Sequence, residues 1–289
     1  MKTALLVPIY KQSKYFQEVY NGIESQTESP DSVYLILDRP TPEEFAHIKG
    51  ICKDSKIEYV ILGIHDIPEY MGKPTNIPGS QLFLTGHRRN VGIDRAIRDG
   101  NEIFVFIDGD CIPESSLIKS HKAACSTTLP VITCGKRNES KFEWHDQREF
   151  DPELMPMELF KKGGSVIYNV DLLKRSAIVW TCNFAINLKA IKLIKKLNNF
   201  YYGRSEVFST EFLGSWGGED SFLGLQSVFC KIVVSTISDE NSGIRHIDHP
   251  RPDNKYSYDA FQRTLIAQVE LLEYMFKKKP LTIEFFRED

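Results

Sequence analysis

The chain has 289 residues, with 36 Lys+Arg against 39 Asp+Glu for a formal charge of −3, and 42% apolar and 11% aromatic residues. That composition excludes a disordered chain and a globally basic nucleic-acid binder, and no apolar run reaches the roughly 18–20 residues of a membrane span. The opening Met1–Tyr10 run contains Pro8, meets Lys11 and Lys14, and lacks a small-residue cleavage pattern, so it does not read as a signal peptide. The six cysteines form no Cys-x-x-Cys pair and predict buried free thiols in a reducing, cytoplasmic setting, with peripheral membrane contact left open.

Strand and helix signals alternate through the first half. Residues 3–9 read as a buried strand, and Phe16, Val19, Tyr20 and Ile23 recur at helical spacing. Val33–Leu37 is a second strand ending at Asp38. Thr41-Pro42-Glu43-Glu44 then carries a capping Thr, a Pro at the first helical position and a Glu at the third, before the stripe Phe45, Ile48, Cys52. Tyr59–Leu62 is a third strand. Residues 66–80, with three prolines, mark a long loop. A helix through Val91 and Ala96 leads to the strand Ile103–Ile107, which runs into Asp108-Gly109-Asp110.

This rhythm predicts an α/β fold with a largely parallel sheet covered on both faces. Right-handed crossovers would gather Tyr10, Asp38 and Asp108 at one sheet edge, where open α/β sheets bind ligands. In the second half, 130–134 and 177–186 read as strands and 188–198 as a basic amphipathic helix. Residues 219–228 read as a short helix, 231–237 as a strand and 256–278 as a long helix.

Two carboxylates one residue apart, with Gly109 between them, can turn to meet one hard divalent cation. Taken alone, the tripeptide reads more readily as a solvated turn after a strand. Its setting is more telling: Leu6-Val7-Pro8-Ile9-Tyr10, Arg89-Asn90-Val91-Gly92 and Phe104–Pro113 together resemble family 2 glycosyltransferases of the GT-A fold. Downstream, Trp216-Gly217-Gly218-Glu219-Asp220 resembles a motif of galactosyltransferase-like C-terminal regions.

The resemblance implies a GT-A fold, a single domain with a central, mostly parallel mixed sheet flanked by helices. Residues 1–115 would form its nucleotide-binding half, 116–255 its acceptor-binding and catalytic half, and 256–289 a C-terminal helix and tail. It implies a metal-dependent inverting transfer of a sugar from a nucleoside diphosphate sugar, a UDP-sugar in the first instance, to an acceptor hydroxyl. Pro8 and Tyr10 would border the base and Asp38 would accept a hydrogen bond from it, although Arg39-Pro40 departs from the family's pattern there. Arg89 would sit beside the nucleotide, with Asn90 and Gly92 shaping the helix start. Asp108 would contact ribose or metal, and Asp110 would ligate the metal, Mn²⁺ or Mg²⁺.

Further along, Asp220 would be the general base and Glu219 would bind or orient the acceptor, with Trp216, Gly218 and Asn183 at the acceptor. His249 and His246, three apart after a strand, would complete the metal site. Solvent-facing histidines and a helix-start acid pair are the bland alternatives for these last groups. Lys161, Lys162, Lys192, Lys195 and Lys196 would either line an anionic acceptor surface or form solvated faces.

The acceptor is open among a glycan, a lipid-linked glycan, a protein and a hydroxylated DNA base, the last as on viral DNA-modifying enzymes. Segments 66–80 and 138–165 are the loops suited to selecting it. A nucleotidylyltransferase would need a Gly-rich basic loop after the first strand, where Pro8-Ile9-Tyr10-Lys11-Gln12 stands instead. A non-catalytic sugar-binding protein is the remaining alternative.

Overall fold

A computed structural model describes residues 1–65, 85–139, 179, 181–208 and 219–247. The strand β1 (Thr3–Ile9) is buried along its whole length and pairs in parallel with β2 (Ser32–Asp38) on one side and β4 (Ile103–Ile107) on the other. Its side chains alternate between two cores. Ala4 and Leu6 point into one, Leu5, Val7 and Ile9 into the other; β4 does the same with Phe104 and Phe106 against Ile103, Val105 and Ile107. A strand apolar on both faces needs cover on both, which is why these segments read as continuous apolar runs.

The helices supply that cover. On one face lie α1 (Phe16–Glu24), α2 (Pro42–Cys52) and α4 (Leu117–Cys125), through Phe16, Val19, Ile48, Leu117 and Ile118. On the other lie α3 (Thr85–Arg98), α5 (Leu188–Tyr202) and α6 (Glu219–Phe229), through Ile93, Ala96, Ile191, Ile194 and Leu223. The α2 start is the expected capping box: Thr41 Oγ1 accepts from the Glu44 amide at 3.2 Å and Glu44 Oε2 accepts from the Thr41 amide at 3.0 Å. The α5 helix runs four residues past the 198 expected and stops at Gly203, whose φ of 69° closes it in the left-handed conformation. Lys195 pairs with Asp94 and so ties α5 to α3.

With β3 (Glu58–Ile64), β6 (Val131–Cys134), β8 (Asn183–Asn187) and β9 (Val233–Thr236), the described residues form a seven-stranded sheet in the order β3-β2-β1-β4-β8-β6-β9. Only the β8 pairings are antiparallel. The chain walks outward from β1 to β2 to β3, then returns through α3 to lay β4 on the other side of β1. That reversal is the topological switch point at which α/β sheets open a crevice beyond their strand ends.

A small second sheet stands at that edge: β5 (Cys111–Pro113), β10 (Ile244–His246) and β7 (Arg137–Glu139), in the order β5-β10-β7. Three-residue strands are too short to carry a readable period, so sequence reasoning missed all three, and it missed α4 as well. The strand expected over 177–186 is observed as Asn183–Asn187. The 66–80 loop and the 256–278 helix fall outside the described residues. No helix among the described residues is long and apolar enough to cross a membrane.

Candidate active site at the switch point

Two close packings place the site. Gly92 lets α3 lie directly on the sheet: a Cβ there would stand 2.8 Å from both Ile36 Cδ1 and Leu6 Cδ2. This seats the first turns of α3, with Arg88 and Arg89, over the ends of β1 and β4. Gly109 lets the Asp-Gly-Asp turn press on the end of β1, since a Cβ would meet Gln12 Oε1 at 2.9 Å and the Pro8 carbonyl at 3.0 Å.

Asp110 is buried and its groups are closely held. Gln12 Nε2 donates to Asp110 Oδ2 at 2.6 Å, His246 Nε2 lies 3.5 Å from the same oxygen, and the Ile247 amide donates to the Asp110 carbonyl at 2.8 Å. The β5–β10 register, His246 opposite Cys111, brings the histidine there. Among the described residues, Asp108, Asp110 and Cys111 form a cluster of potential metal-ligand atoms, all within 4.8 Å of one another. Burial, and next the Asp110 charge, push the Cys111 thiol well above its ordinary range, so alone it stays protonated and turns its S–H to Asp110 Oδ1 at 3.5 Å. Two carboxylates with a nearby imidazole form an oxygen-rich set that fits a hard divalent cation such as Mn²⁺ or Mg²⁺.

Arg89 joins the two sequence motifs. Its Nη2 donates to Asp108 Oδ1 and its Nη1 to Glu219 Oε1, each at 2.9 Å. The guanidinium is almost fully buried and lies 5.4 Å over the Phe208 ring, which sits edge-on to the stacked pair Phe106 and Phe184. Desolvation alone would lower the Arg89 pKa; Asp108 and Glu219 outweigh it and raise it, so the group stays charged. At Asp108, desolvation pushes the carboxyl up, Arg89 pulls it down and Asp110 pushes it up again, leaving it above the ordinary range. Glu219 and Asp220 open α6, so Arg89 fixes the start of that helix against the strand-end acids.

A cationic cluster surrounds Tyr10. Lys11 Nζ and the guanidinium carbons of Arg39 and Arg88 lie 5.0, 5.4 and 5.3 Å from its ring centre. Arg39, at a φ of 48°, curls back to hold Asp38 by two hydrogen bonds of 2.7 and 3.0 Å, and Arg88 stands 3.8 Å from the same carboxylate. Burial pulls Arg88 down to about 10, still protonated at neutral pH. The residue that departs from the family pattern, Arg39, is therefore the partner of the acid expected to read the base.

Three expected contact residues have other occupations. Pro8 is buried inside β1 and meets the turn through its carbonyl. Asn90 spends its amide on the backbone of the segment entering the site: Nδ2 donates to the Phe208 carbonyl at 2.7 Å, and Oδ1 accepts from the Val207 and Phe208 amides. Asn183 is fully buried, with its side chain committed to His121, Lys136 and Ser242. Both of its amide hydrogens are spent on backbone carbonyls and its oxygen faces His121. Trp216, Gly218, His249, Lys161 and Lys162 lie outside the described residues, as does most of the 138–165 loop. Gln12, Arg88 and His121 were missed. Gln12 could have been read from its place two residues past Tyr10 at a strand end; nothing in the sequence singled out the other two. All six cysteines are buried, and none forms a disulfide.

No protein-family model matches the chain, and no curated protein matches it. Solved structures do. The S. aureus TarS fragment 1–349 in complex with UDP-GlcNAc aligns at a TM-score of 0.55 and 17% identity, covering 94% of this chain and 67% of that one. The mannosyltransferase PcManGT of Pyrobaculum calidifontis, in complex with GDP-Man and Mn²⁺, gives 0.53 and 12%, covering 94% and 69%. Glucosyl-3-phosphoglycerate synthase of Mycobacterium tuberculosis, with Mn²⁺, UDP and phosphoglyceric acid, gives 0.52 and 13%, covering 93% and 78%. This is the GT-A fold. The chain spans 66% of the TarS fragment and 46% of the longer TarS structure. At these identities the likeness establishes the GT-A architecture and leaves donor and acceptor to the site.

Proposed function

We propose that the chain is a metal-dependent inverting glycosyltransferase that moves a sugar from a UDP-sugar to an acceptor hydroxyl. The observation that carries this reading is the Arg89 bridge, which brings the Asp108–Asp110 turn and the Glu219-Asp220 helix start, 130 residues from Arg89 in the chain, to one place. The complexes of the structural neighbours with UDP, UDP-GlcNAc, GDP-Man and Mn²⁺ support it.

In this reading Tyr10, Asp38, Arg39 and Arg88 receive the base. Asp108 and Asp110, with His246 and His249, would hold Mn²⁺ or Mg²⁺. Such an ion, when bound, neutralises charge on a diphosphate. Asp220 takes the proton of the acceptor hydroxyl as its oxygen attacks the anomeric carbon, while the bond from that carbon to the diphosphate breaks and its electron pair leaves with the diphosphate. Attack opposite the leaving group inverts the centre, through an oxocarbenium-like transition state as in glycoside hydrolysis. Glu219, fixed by Arg89, orients the acceptor, with Trp216 and Gly218 beside it.

Isothermal titration with UDP tests the donor side. UDP should bind with Mn²⁺ present and lose at least about tenfold in affinity with EDTA or in Asp110→Asn. UDP binding equal in all three conditions would contradict the metal assignment.

A further inference from the structure

Below the site runs a buried chain of polar groups that the transfer reaction does not use. It starts on α4, where His121 is fully buried. His121 Nδ1 lies 2.7 Å from Thr133 Oγ1 of β6, and its Nε2 lies 2.8 Å from Asn183 Oδ1 of β8. Asn183 Nδ2 donates to two carbonyls, Lys136 at 2.7 Å and Ser242 at 3.2 Å. Cys125 Sγ stands 3.5 Å from Thr133 Oγ1.

Donor counting fixes the direction of every link. Both Asn183 amide hydrogens go to carbonyls, so its oxygen faces His121 and can only accept. His121 must then carry its proton on Nε2, and its bare Nδ1 accepts from the Thr133 hydroxyl. Thr133, its own hydrogen spent, accepts from the Cys125 thiol. Burial holds His121 neutral, down to about 4. A chain of this kind is stable only if every member is satisfied, and here each named link is.

The chain ends at the elements that carry the site. Asn183 pairs with Ile107, the residue before Asp108, across the β4–β8 ladder. Lys136 precedes β7, and its carbonyl also accepts from the Ile244 amide of β10 at 3.0 Å. Ser242 lies two residues before β10, the strand that ends in His246. Gly135 makes room for this contact, since a Cβ there would fall among the Asn183 amide atoms. One side chain thus spans the gap between the strand leading to Asp108 and Asp110 and the strand leading to His246. The β10 strand has three residues, paired with β5 on one side and β7 on the other, so a shift at its start is carried to His246 at its end.

We infer that His121 and Asn183 are positioning residues of the metal site: through Lys136 and Ser242 they set β10, and with it His246, against Asp110. The inference rests on the proposed function, because it assumes that Asp110 and His246 hold a divalent cation.

Electron paramagnetic resonance of free Mn²⁺, with UDP in excess, measures the affinity directly, and thermal melts accompany it. His121→Leu, which cannot donate to Asn183, should weaken Mn²⁺ about tenfold. His121→Gln, whose amide can donate in the same direction, should restore affinity to within about twofold of the wild type. Thr133→Val, a near-isosteric change that strips the hydroxyl, should weaken Mn²⁺ by a smaller factor and carries the test if His121→Leu does not fold. Lowered melting temperatures with wild-type Mn²⁺ affinity in these variants, while Asp110→Asn loses the ion, would overturn the positioning role alone. Wild-type affinity in Asp110→Asn would overturn the metal assignment and the inference with it.

Discussion

Asp220→Asn should lower the turnover number about 10³-fold while UDP affinity stays within about twofold of the wild type. A positioned general base contributes roughly 10² to 10⁴ in rate, and Asn keeps the shape of the side chain while it cannot take a proton. Asp220 opens α6 beside Glu219, on the side of the site that Arg89 joins to the strand-end acids. The loss should therefore fall on the chemical step, with little change in the binding of the nucleotide. Single-turnover transfer and UDP titration on the same preparation check both halves. Loss of UDP affinity with a normal chemical step would place Asp220 on the donor and remove it as the base.

Arg89→Met should destabilise the fold strongly, costing about 3 kcal/mol in urea unfolding. Removing one partner from a buried ion pair typically costs about 3–5 kcal/mol, because the other charge is left desolvated. Here two carboxylates are abandoned, but the Asp108 side chain keeps 33% of its surface exposed and recovers part of its hydration, which argues for the lower end. Arg89→Lys should lose less stability, yet its single ammonium cannot match the planar fork that spans Asp108 and Glu219. Combining Arg89→Met with Glu219→Gln should recover part of the loss, since one abandoned charge is gone. Additive losses in the double variant would show that the bridge is not coupled.

These predictions depend on contacts of different legibility. β1, β2 and β4 could be read directly because both faces of each strand are buried, and the α2 start because its capping box is written in four consecutive residues. The gathering of Tyr10, Asp38 and Asp108 at one sheet edge followed from the same rhythm, because parallel strands joined by helices end on the same side. The partners of Arg89 could not be read. A guanidinium beside the motif was compatible with phosphate or carboxylate, and its choice of Asp108 and Glu219 depends on how α6 packs. The partners of Asn183 could not be read for a related reason. A strand Asn near a site looks the same in sequence whether its amide faces ligand or backbone, and the answer lies in His121, Lys136 and Ser242, which belong to three other segments. The three-residue strands of the second sheet carry His246, but they are defined by pairing with one another and leave no local pattern.

In the proposed function Asp108 and Asp110 serve a metal-dependent reaction on a nucleotide sugar. The decisive assay incubates the protein and Mn²⁺ or Mg²⁺ with a panel of nucleotide sugars and follows released nucleoside diphosphate. Release from a UDP-sugar that stops in EDTA and returns with excess Mn²⁺ is the predicted result. Release that continues undiminished in EDTA would contradict it.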